Sequence, residues 1–107
     1  MSPDANKISK ELKQLLSVHF PGLLDKLVLY GSRSKGFEKE DSDYDFLVIL
    51  KNQYDWQTRK AILSDCYEID LKYGILTDVK VVSQAELNGL RGQLPFIMEA
   101  LATGVYI

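Results

Sequence analysis

Asp41, Asp43 and Asp45 alternate with Ser42 and Tyr44 at the entry to the apolar run Phe46 to Leu50. On a strand of period two Asp43 and Asp45 project from one face, their Cα atoms roughly 7 Å apart, while Phe46, Val48 and Leu50 take the other. Two ionised carboxylates held side by side repel, which raises one pKa and costs stability unless a cation sits between them. Magnesium resolves the conflict, because a hard cation takes carboxylate and phosphate oxygens together and keeps the rest of its octahedron as water. A solvated acidic turn accounts for Asp41. It accounts less well for Asp45, which lies inside the apolar run, since strand interiors are depleted in Asp.

A partner for such a metal stands upstream. Gly31-Ser32 follows the apolar run Lys26 to Tyr30, and Ser32 to Gly36 can begin a short helix whose free N–H groups point past the strand end. A phosphate suits that place. Gly31 lets it approach the backbone, Ser32 adds a hydroxyl donor, and Arg33 and Lys35 bring positive charge within one turn. Taken alone, Gly-Ser is an ordinary turn signal; the carboxylates give it meaning. Asp78 interrupts a third run, Ile75 to Val82. If that run lies beside Tyr44 to Leu50, the Asp78 side chain can point to the Asp43 and Asp45 face, in a register the sequence leaves open. Three acids around magnesium, opposite a Ser and an Arg that hold polyphosphate, suit metal-assisted phosphoryl or nucleotidyl transfer. Asp78 is then placed to accept the proton of an incoming hydroxyl.

Two other motifs fail on particular residues. Gly31 and Gly36 match the start of the P-loop pattern, but Phe37 and Glu38 stand where Lys and Ser or Thr are required. Asp41, Asp43 and Asp45 mimic an EF-hand loop, yet Phe46 replaces its turn glycine and Asn52 its bidentate acid.

The surrounding elements follow from periodicity. Ile8, Leu12, Leu15 and Leu16 recur at helical spacing after Ser2-Pro3, an N-cap and N1 pair, and Pro21-Gly22 ends that helix. Lys26 to Tyr30 and Tyr44 to Leu50 read as buried strands. From about Tyr54 to Tyr73 a helix carries Ile62, Cys66, Ile69 and Tyr73 on one stripe, widened by Leu63 and Tyr67, and stops at Gly74. Ile75 to Val82 is a third strand, Ser83 and Glu86 form a capping box opening a short helix, and a last helix runs from Pro95 to Gly104. The tail Val105 to Ile107 adds an edge strand. This order predicts an α/β (α+β) fold, a small mixed sheet flanked by helices, with residues 1–107 forming one domain.

Composition bounds the function. The chain has 107 residues, 46% hydrophobic and 26% charged, which fits one domain of ordinary size. Thirteen basic against fifteen acidic residues give a net charge of -2, with a pI near 5.3, which argues against direct nucleic-acid binding by phosphate neutralisation. The single cysteine, Cys66, and an N-terminus without an apolar core point to a reducing cytoplasm. No run approaches the ~20 apolar residues that span a bilayer, so no membrane partner is expected. Three further residues read as structural: His19 beside the carbonyls ending the first helix, Cys66 in the core, and Trp56 packed against the sheet.

The combination LYGSRSKG and SDYDFLVIL, with ten residues between Gly31-Ser32 and Asp43-Tyr44-Asp45, resembles the signature of nucleotidyltransferases of DNA polymerase beta type. More narrowly it is similar to the minimal nucleotidyltransferases, short proteins that often act as antitoxins beside a helical HEPN ribonuclease toxin. The resemblance implies the nucleotidyltransferase fold, with Gly31 and Ser32 on the nucleotide triphosphate, Asp43 and Asp45 on magnesium, and Asp78 as the third acid that helps deprotonate the acceptor. The subgroup often reads GSRARG, so Ser34 and Lys35 depart from it; Lys35 keeps the charge but loses the bidentate fork that Arg33 retains. The implied reaction moves AMP from ATP to a hydroxyl, with a tyrosine of a cognate HEPN toxin as acceptor. A binding-only antitoxin, which neutralises its partner by covering it, is the alternative. Transfer to a small molecule is disfavoured by length, because little chain remains for an acceptor pocket; a partner bringing its own surface, or a second subunit in a homo-oligomer, is easier to accommodate.

Overall fold

A computed structural model describes residues 4–31 and 44–107. Its elements are α1 (Ala5–His19), β1 (Leu24–Tyr30), β2 (Tyr44–Leu50), α2 (Trp56–Tyr73), β3 (Thr77–Ser83), α3 (Gln84–Leu87), a 3-10 turn at Leu90–Gln93, α4 (Pro95–Thr103) and β4 (Val105–Tyr106). The strands form one mixed sheet in the order β3-β2-β1-β4, with β1 antiparallel to β2 and β4, and β2 parallel to β3. The expected mixed sheet flanked by helices is therefore present, including the short edge strand at the tail.

Period two sorts the strand residues onto two covered faces. Leu27, Leu29, Tyr44, Phe46, Val48, Leu50 and Val81 pack with Ile8, Leu12 and Leu16 of α1 and Ile62, Cys66 and Ile69 of α2. The opposite face, Val28, Tyr30, Leu47, Ile49 and Val82, packs with Ile97 and Ala100 of α4. β2 is central and buried on both sides, which is why its sequence is almost continuously apolar. Truncating the fully buried Phe46 to Ala would cost about 3–5 kcal/mol.

Local signals set the element ends. Asp55 caps α2 by accepting from the Thr58 N–H at 2.7 Å, and Gly74 closes it in the left-handed conformation at φ 64°. Ser83 and Glu86 complete the expected capping box of α3. Four expectations are corrected. The first helix is capped by Asp4, whose side chain accepts from the Asn6 N–H, rather than by Ser2; Ser2 and Pro3 lie outside the described residues. Trp56 is 69% exposed instead of packed on the sheet, and Tyr67, at 61%, does not widen the buried stripe. His19 bonds not to helix-terminal carbonyls but to Asp65, its Nδ1 2.8 Å from Oδ2. Cys66 is buried as expected, and burial, followed by Asp70 and Asp65, pushes its thiol up to about 12.

Candidate active site

β1, β2 and β3 bring three of the singled-out positions together. Tyr30 is paired with Asp45 across the antiparallel ladder, and Asp45 with Asp78 across the parallel one. Tyr30, Asp45 and Asp78 thus form one row across three strands, with neighbouring strands about 4.8 Å apart. Asp45 alternates with Leu47 and Ile49, and Asp78 with Lys80 and Val82, so the row lies on the face that α4 covers.

Gly31 follows Tyr30 and completes the cradle. Its φ is 77°, a conformation that side chains oppose, and a β-carbon there would stand 2.3 Å from Oδ2 of Asp45. The Asp45 carboxylate lies directly against the glycine, so a ligand on the Gly31 backbone would also meet Asp45. Ser32, Arg33, Lys35 and Asp43 lie outside the described residues.

Among the described residues the row is acidic, and a lysine stands beside it. Lys80 Nζ contacts Asp78 Oδ1 at 2.8 Å and sits 5.9 Å from the centre of the Phe96 ring on α4. Burial, and then the charges of Asp45, Asp78 and Glu99, push the Tyr30 hydroxyl up to about 12. It is a neutral donor near physiological pH. Among the described residues no group of three or more metal-ligating side chains stands together. Asp45 and Asp78 nevertheless suit a hard dication: both offer carboxylate oxygens, and they sit at one height of adjacent strands.

Tyr30, Lys80 and Glu99 belong to this neighbourhood, and none was singled out from sequence. Tyr30 was readable in part, since it alternates with Val28 on β1 and immediately precedes Gly31. Lys80 needed only the same period-two argument from Asp78. Glu99 comes from α4, far along the chain, and no local pattern ties it to the strands.

A small mixed sheet with an acidic row beside a strand-end glycine is the arrangement of a nucleotidyltransferase. The chain matches the polymerase beta nucleotidyltransferase family over residues 6–107 and belongs to it. Two relatives from Methanocaldococcus jannaschii bear the name protein adenylyltransferase. One is 33% identical over 65% of this chain and 71% of its own length, the other 29% identical over 77% of each. Among solved structures, the fold is similar to a mutant of the MntA-HpeT toxin-antitoxin, at 18% identity and TM-score 0.61. It is also similar to a toxin-antitoxin with AMP-PNP, at 21% identity and TM-score 0.63. Each comparison covers 92% of this chain and 70% of the other.

Proposed function

We propose that this nucleotidyltransferase is a magnesium-dependent adenylyltransferase that moves AMP from ATP to a tyrosine hydroxyl of a HEPN-type toxin, and so acts as the antitoxin. The observation that carries the reading is the in-register pair Asp45 and Asp78 beside Gly31. The Methanocaldococcus relatives named protein adenylyltransferases and the structural neighbours that are toxin-antitoxin complexes support a protein as the acceptor.

In this reading Gly31, Ser32, Arg33 and Lys35 hold the triphosphate, and Asp43, Asp45 and Asp78 hold the metal. Bound there, magnesium supplies charge neutralisation for the phosphate oxygens. Asp78 accepts the proton as the acceptor oxygen bonds to the α-phosphorus. The bond from that phosphorus to the β-bridging oxygen breaks, and pyrophosphate leaves. Arg33 and Lys35 offset the charge on the departing group.

The test is label transfer from ATP to proteins of a cell lysate, comparing α- with γ-labelled ATP and the wild type with Asp45→Asn. A band labelled from the α-phosphate and missing in the variant is the expected result. Absence of any band, with a complex still recoverable, would replace the proposal with a binding-only antitoxin.

A further inference from the structure

β3 is an edge of the sheet, and it carries Asp78. Hydrogen-bonding direction alternates along a strand. The Tyr44 N–H donates to the Leu76 carbonyl at 2.9 Å, so the backbone groups of Leu76, Asp78 and Lys80 turn toward β2. Those of Thr77, Val79 and Val81 turn outward. At Val81 the outward carbonyl is occupied, accepting from the Tyr54 hydroxyl at 3.0 Å. Among the described residues nothing closes Thr77 and Val79 in that way.

This open half-edge lies beside the row Tyr30, Asp45 and Asp78. Natural edges are guarded against indiscriminate pairing by short length and inward charges, and here, among the described residues, Thr77 and Val79 are the outward positions left open. Two residues before Asp78, Leu76 is 67% exposed; two residues after it, Lys80 is half-exposed. By alternation all three stand on the site's face. The edge therefore presents an apolar, an acidic and a basic side chain in order, with free main-chain donors and acceptors between them.

We propose that the acceptor enters as an extended segment that adds a strand to Thr77–Val79, placing its hydroxyl-bearing residue opposite Asp78. The inference rests on the adenylyltransferase reading and names its substrate class. Main-chain bonds supply affinity, and alternate side chains supply selectivity. An added strand lies about 4.8 Å from β3, which sets the hydroxyl side chain next to the Asp78 carboxylate. The matching segment carries an apolar residue two positions to one side of the hydroxyl residue, against Leu76, and an acidic residue two positions to the other, against Lys80.

The test uses the full chain, magnesium, α-labelled ATP and short synthetic peptides with a central tyrosine, leucine two positions away on one side and glutamate on the other, made in both directions. Label on the tyrosine is expected. N-methylation of one alternate set of peptide amides should lower labelling about tenfold, as loss of a main-chain hydrogen bond predicts, while the other set is tolerated. Val79→Pro should match that loss, because the Val79 N–H points away from β2 and its removal breaks no hydrogen bond of the sheet, while the lost packing of Val79 on the core lowers the melting temperature by a few degrees. The methylated peptides leave the protein intact, so they decide the matter if the proline variant misfolds. Equal labelling of both methylated sets overturns the proposal. So does labelling of lysate proteins with none of any peptide. No labelling anywhere, lysate included, brings down the adenylyltransferase reading itself.

Discussion

The carboxylate of Asp45 occupies the space that a side chain on Gly31 would need, with Oδ2 2.3 Å from the position of that absent β-carbon. The residue that follows β1 and the second residue of the antiparallel β2 thereby become a single cradle. Gly31→Ala would meet two obstacles: the left-handed φ of 77°, which costs an L-residue about 1–2 kcal/mol, and the clash itself. The carboxylate must move. We expect transfer to fall by about a hundredfold or more, the effect of an ångström-scale misplacement, with a melting temperature several degrees lower. Label transfer and thermal melts on one preparation check both. A wild-type rate in the alanine variant would show that Asp45 does not act where it now stands.

Asp45→Asn and Asp78→Asn preserve shape and remove charge. Each should lower transfer by about 10²–10³-fold, the range for loss of one preorganised electrostatic group. The more telling readout is stability: a ligand that binds only the folded protein raises its melting temperature. Wild type should melt higher with magnesium and ATP than without, and that increment should vanish in Asp45→Asn. Asp78→Asn should lose it too while also freeing Lys80 from its 2.8 Å contact. An unchanged increment in both variants would place the metal elsewhere.

Much of this cradle was legible because its signals are local. The Phe46 to Leu50 run, the Ser83–Glu86 capping box and the Gly74 stop are chemical statements about residues a few positions apart, and all appear in the fold. Period two also set Asp45 opposite Phe46, Val48 and Leu50, and left it to the strand register whether Asp78 shares its face. It could not give the height of the pairing, because a two-residue slip of parallel strands changes the partner while leaving every side chain on its face. Trp56 shows a different limit: aromatic character suggested burial. Yet Trp56 lies six positions before Ile62, about 120° around the helix from the buried stripe at 3.6 residues per turn. Tyr67, next to Cys66, is turned away by about 100° for the same reason. His19 and Asp65 meet across 46 residues, and only the packing of α1 on α2 brings them together.

That pair supports a stability prediction. Asp65 is 7% exposed and accepts from His19 Nδ1 at 2.8 Å, so His19→Ala leaves a buried carboxylate short of a donor. The expected cost is about 1–3 kcal/mol. The double variant His19→Ala, Asp65→Leu should recover part of it, because no buried charge is then left unpaired. Denaturant midpoints of the single and double variants decide. Additive losses would mean that the two side chains do not depend on each other.

Glu86 gives the acid limb of stability. Burial alone would raise its carboxyl, but hydrogen bonds from Tyr54 and the Ser83 N–H, and then Arg91, hold it below 4.5. A carboxyl depressed in the folded state binds fewer protons there than in the unfolded chain. Its contribution is therefore fully present above about pH 4.5 and is lost as pH falls through the lower folded value. Glu86→Gln should be less stable at neutral pH by on the order of 1 kcal/mol, the size of a capping interaction. The gap between variant and wild type should narrow as pH drops below 4.5. Melting curves from pH 3 to 7, about the range in which carboxyl groups titrate, test the sign. A gap that stays constant across it would show that the ionised form of Glu86 contributes nothing beyond its shape.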